Sequence, residues 1–124
     1  MISRAALLLA LLLSIACSSK TQPVKLPAAV SEWKLTSEQP GSIPAGAAPD
    51  AHAFGAYAGP SSMAVHVLTY SNQAVAFEMV QKARPMPGTF YFQHDRHFVL
   101  ITSPGADLAT LSAFAKAFEA QLDK

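Results

Sequence analysis

From Met63 to Tyr70 the chain reads MAVHVLTY. An extended backbone puts Met63, Val65, Val67 and Thr69 on one face and Ala64, His66, Leu68 and Tyr70 on the other. β-Branched and aromatic side chains dominate this stretch, which predicts a strong strand. Before it, Ala53 to Ala58 predicts a weaker strand carrying Phe54 and Tyr57, and Gly59-Pro60-Ser61-Ser62 supplies the turn. The apolar period then lengthens. Ser71 or Asn72 caps a helix running to about Arg84, with an apolar stripe of Ala76, Phe77, Val80 and Ala83 widened by Val75 and Met79. Glu78 and Lys82 lie four apart on its polar side, and Pro85 and Pro87 stop it.

The same order then recurs. Thr89 to Gln93 predicts a strand, His94-Asp95 a two-residue turn, and Arg96 to Thr102 the partner strand. That turn would pair Phe92 with His97 and Phe90 with Val99. Ser103-Pro104 predicts a second helix start, with Asp107 in its first turn. Leu108, Leu111, Ala115, Phe118 and Leu122 then fall on one helical stripe. Alanines at 109, 113, 117 and 120 line its outer side, where helix propensity explains them as well as a partner helix does. The pattern is ββαββα. It predicts an α+β fold, a mostly antiparallel sheet with both helices on one face.

Both sides of the second hairpin are apolar. Phe90, Phe92, Val99 and Ile101 share one side, and Tyr91, Phe98 and Leu100 share the other. Helices on one face would leave Tyr91, Phe98 and Leu100 as an apolar contact surface. That surface would meet the loop from Ser37 to Asp50, a second subunit or a partner, or an apolar ligand.

The N-terminal residues read differently. Thirteen of the first sixteen are apolar, which inflates the 51% apolar content of the 124-residue chain. Arg4 precedes a twelve-residue apolar run from Ala5 to Ala16. A membrane-spanning helix needs roughly 20 such residues, so the run fits the core of a secretory signal peptide. The one cysteine, Cys17, ends it. A lone exposed thiol in an oxidising compartment is a liability. An ordinary secreted protein cut near Ala16, with Cys17 free, is the alternative.

Leu13-Ser14-Ile15-Ala16-Cys17 resembles the lipobox of bacterial lipoproteins, with Ser14 where that family prefers leucine. The resemblance implies a signal peptide over residues 1–16, cleavage before Cys17 and acyl chains on that cysteine. Ser18, without aspartate, follows Cys17, which in the family implies the outer membrane, facing the periplasm. Residues 17–31 then form the lipidated cysteine and a flexible tether, with Pro23 and Pro27 and little to pack. Residues 32–124 form one small domain, opened by Glu32-Trp33-Lys34-Leu35-Thr36 with Trp33 and Leu35 inward. Leu26-Pro27, Trp33-Lys34 and the hairpin-helix order also resemble a group of small bacterial lipoproteins of unknown function. That likeness carries no functional residues.

Charge narrows the partners. Without the first sixteen residues, 8 basic side chains face 8 acidic ones, which speaks against nucleic-acid binding. Eleven aromatics between Trp33 and Phe118 are enough for a packed core. His94 is at a turn, His97 is in the following strand and His66 sits on another strand, so they need not converge as the three or four ligands of a zinc site must. Neither a Gly-x-Ser-x-Gly motif nor a glycine-rich phosphate loop occurs. The expectation is a non-enzymatic protein without metal or cofactor, bound to the membrane by its lipid and meeting an envelope partner or a second copy. The alternatives are a carrier of a small apolar ligand and, third, a small envelope enzyme built on His66, His94 or His97.

Overall fold

The computed structural model describes residues 22–38 and 49–122. It contains six strands: β1 (Ala29–Val30), β2 (Trp33–Glu38), β3 (Ala51–Ala58), β4 (Met63–Thr69), β5 (Thr89–His94) and β6 (His97–Thr102). The helices are α1 (Gln73–Lys82) and α2 (Leu108–Leu122). All strands join one antiparallel sheet in the order β1-β2-β3-β4-β6-β5. The fold is α+β, as the hairpin-helix order predicts. Among the described residues no helix is long and apolar enough to cross a membrane.

The two helices lie on opposite faces of the sheet, not on one. Leu111, Phe114, Ala115 and Phe118 of α2 bury Tyr57, Met63, Val65, Val67, Val99 and Ile101. On the other face Ala76 of α1, with Val75, Met79 and Val80, packs on Leu68, Tyr70 and Phe98. The cause is the two-sided apolar hairpin itself. β5 and β6 carry large side chains on both sides, and each side needs its own cover. The expected contact surface of Tyr91, Phe98 and Leu100 is therefore occupied by the chain's own helix. Phe98 is buried there, and the Tyr91 hydroxyl donates to the Ala83 carbonyl at 3.2 Å.

The domain also begins earlier than the tether reading places it. Leu26 and Val30 belong to the core, and β1 pairs with β2 through Val30↔Trp33. Leu26 lies where a side chain on Gly55 would stand, 2.5 Å from that phantom carbon, and the Pro27 carbonyl accepts the Tyr57 hydroxyl at 2.7 Å. Two prolines made this segment look like a spacer, but extended residues also suit a sheet edge. Ser37 and Glu38 continue β2, and most of the predicted loop after them lies outside the described residues.

Turn chemistry corrects the second hairpin. Asp95, at φ 51°, opens the turn, so His94 pairs with His97, Phe92 with Val99 and Phe90 with Ile101. The shift is two residues, so every side chain keeps its predicted face. Ser103-Pro104 begins a turn closed by Ala106 N–H to the Ser103 carbonyl, with Gly105 at φ 82°, the pattern of a type II turn. α2 starts four residues later than predicted, capped by Asp107, whose carboxylate accepts the Thr110 N–H at 2.8 Å. Asp107→Ala, which removes the cap, is expected to lower the midpoint of urea denaturation. Asn72 caps α1, its side chain accepting the Val75 N–H.

Trp33 is in the core, as expected. Its ring meets Phe114 edge-on at 5.2 Å and its indole N–H donates to the Ser61 carbonyl. Under α1 the Tyr70 hydroxyl is buried without a hydrogen-bond partner among the described residues. An unpaired buried hydroxyl costs stability, so Tyr70→Phe is expected to be neutral or to stabilise by up to about 1 kcal/mol in the same assay.

Candidate functional site

α1 covers only the β4–β6–β5 part of its face. Beyond it, β3 and the first half of β4 leave a half-exposed surface carrying His52, Phe54 and His66. The register places Phe54 opposite His66 and His52 one diagonal step away. Phe54 stacks on His66 with centroids 4.4 Å apart, and the two imidazoles lie nearly parallel at 5.1 Å. His52 Nε2 and His66 Nδ1 share a hydrogen bond of 2.9 Å. Only one of those nitrogens carries its proton, so the pair is held together while at least one ring is neutral. A shallow groove of about 430 Å³ borders it, walled by residues 23–26 on one side and by Glu38, His52 and Phe54 on the other.

A second polar row sits on the α2 face at the far end of the sheet. His97 Nδ1 and the Thr69 hydroxyl are 2.9 Å apart, and His94 Nδ1 lies 3.2 Å from a Glu119 carboxylate oxygen. Thr69 is fully buried, so its hydroxyl is closed to substrate. Among the described residues no group of three or more histidine, cysteine, aspartate or glutamate side chains is placed to hold a metal ion. His66 is thus split from His94 and His97 by the sheet. The three residues named for an enzymatic site do not share one.

Burial holds the imidazoles of His52, His66 and His97 below the usual range. The neighbouring His52 charge adds to the effect at His66, while Arg96 and His94 add to it at His97 against an opposing pull from Asp95. A depressed folded value means that the unfolded chain binds protons first as the pH falls. The neutral rings contribute fully above the ordinary value of 6.5 and lose that contribution below it. The melting temperature is expected to fall between about pH 7 and pH 5, and His66→Phe, which keeps a ring against Phe54, should flatten the fall in thermal scans.

Sequence reasoning missed the His52–His66 pair because it started β3 at Ala53. The available signal was the alternation of Ala51, Ala53 and Gly55 against His52 and Phe54, which extends the strand by two residues. Cys17, the expected lipid attachment point, lies outside the described residues. No family model, no curated protein and no solved structure matches the chain.

Proposed function

We propose that this protein is a lipid-anchored component of the bacterial cell envelope, whose small non-enzymatic α+β domain is displayed for interaction beside the membrane. The observation that carries the proposal is the twelve-residue apolar run followed directly by Cys17, the chain's single cysteine. Its resemblance to a lipobox supplies a use for a thiol that would otherwise be reactive. Two or three acyl chains bury enough methylenes, at ~0.8 kcal/mol each, to hold a protein on a bilayer almost permanently.

The start of the packed domain sharpens the reading. Val24 packs against the core, so only Ser18 to Pro23 separate it from Cys17. Six residues reach roughly 20 Å at full extension. The domain would then sit next to the headgroups. The lipobox resemblance, with Ser18 and not aspartate after Cys17, supports a place in the outer membrane, facing the periplasm.

Cell fractionation of the native chain and Cys17→Ser tests the proposal. The native protein is expected in the membrane fraction, resistant to high salt. The variant should leave the anchored pool. A variant as firmly bound as the native chain would refute a lipid on Cys17.

A further inference from the structure

We propose that the domain pairs with a second copy of itself through the free edge of β5, extending the sheet across a two-fold axis. The inference rests on the interaction role proposed above and names its partner. β5 ends the sheet order and is Thr89-Phe90-Tyr91-Phe92-Gln93-His94. It has no lysine, proline or bulge, the devices that normally blunt an edge. The opposite edge is blunted, since β1 has two residues.

The ladder decides which groups face outward. Ser103 N–H donates to the Gly88 carbonyl, and the register continues through Phe90↔Ile101, Phe92↔Val99 and His94↔His97. Backbone groups of Phe90, Phe92 and His94 therefore point at β6, and those of Tyr91 and Gln93 point away from the sheet, with the Thr89 carbonyl. Thr89 N–H already donates to the Met86 carbonyl. A two-fold axis at Tyr91 matches these groups to themselves. Tyr91 would exchange two bonds with the partner's Tyr91, and each Gln93 N–H would reach the partner's Thr89 carbonyl. Phe90 would lie opposite the partner's Phe92 on the α2 side, a favourable aromatic cross-strand pair.

An independent observation points to the same edge. Of the three large apolar side chains exposed among the described residues, Phe77 (51% exposed) and Met86 (63% exposed) lie by this edge, and Leu108 begins α2. Phe77 shares a hollow with Gln93, and Met86 bonds to Thr89 at the other end of the strand. The register that sets Gln93 against the partner's Thr89 also brings Phe77 towards the partner's Met86. Charge raises no obstacle, because no Lys, Arg, Asp or Glu lies on β5. The contact is small, and confinement to a membrane plane would raise its effective concentration.

Sedimentation of the full chain, extracted in detergent, reads the result. The native chain is expected to be a dimer at tens of micromolar or below. Thr89→Lys with Gln93→Lys sets like charges opposite each other twice and should weaken the dimer about tenfold. Thr89→Lys with Gln93→Glu sets opposite charges there and should restore it. Circular dichroism checks that both variants fold. A native monomer, a dimer indifferent to the paired lysines, or no recovery with the charge swap would each overturn the inference. A lipidated monomer would end self-pairing and leave the anchored reading standing, whereas a dimer without lipid would do the reverse.

Discussion

Phe114→Ala is expected to remove a large part of the domain's stability. The side chain is fully buried at the centre of the α2 face, with ring centroids 5.2 Å from Trp33, 5.4 Å from Tyr57 and 5.9 Å from Phe118. Truncation removes the buried ring and leaves a cavity that three fixed aromatics cannot fill. Such changes cost about 3–5 kcal/mol. A domain of this size has only about 5–15 kcal/mol in hand, so one truncation takes a fifth of it or more. Leu108→Ala is the contrasting change in the same helix. Helical spacing puts Leu108 on the buried stripe, but it precedes the first turn that touches the sheet and is 70% exposed. Its truncation is expected to cost less than about 0.5 kcal/mol. Urea denaturation of the two variants beside the native chain separates the stripe read by spacing from the stripe that packs.

The second large effect concerns residues 22–31. Removing them from the full chain is expected to abolish cooperative unfolding. The deletion strips Leu26 and Val30 from the core, takes away β1, and leaves the Tyr57 hydroxyl without the Pro27 carbonyl. Each large aliphatic truncation in such a site costs roughly 2–5 kcal/mol, and an unpaired buried hydroxyl adds about 1–3 kcal/mol. Leu26→Ala alone should therefore lower stability by about 3 kcal/mol. A mere tether would tolerate both changes. An unchanged denaturation midpoint would return the segment to the spacer role.

The local periodicities were legible because one residue's neighbours decide them. Alternation in β4 and the Asn72 cap of α1 depend on the residues beside them, and the structure keeps both. The predicted faces of β5 and β6 also hold, though the turn moved from His94-Asp95 to Asp95-Arg96, because a two-residue slip preserves parity. What escaped the sequence was long-range. The apolar excess on Tyr91, Phe98 and Leu100 was visible, but its cover by α1 depends on which face the chain crosses after Tyr70. The Leu26 contact needs the gap above Gly55, a feature of the sheet rather than of the segment. The His52–His66 bond likewise needs the β3–β4 register, which no single strand carries.

Two helices on opposite faces leave two kinds of surface for a partner. The half-open face of β3 is polar and ring-stacked, with a paired imidazole at its centre. The β5 edge offers uncharged backbone groups flanked by Phe77 and Met86. Anchoring within roughly 20 Å of the bilayer would favour encounters between neighbours on the same membrane.

The anchor is the premise on which that placement depends, and the intact mass of the protein extracted from bacterial membranes tests it most directly. The account predicts a chain that begins at Cys17 and carries a diacylglycerol on its sulfur. A chain that begins elsewhere, or begins there with an unmodified thiol, would contradict it.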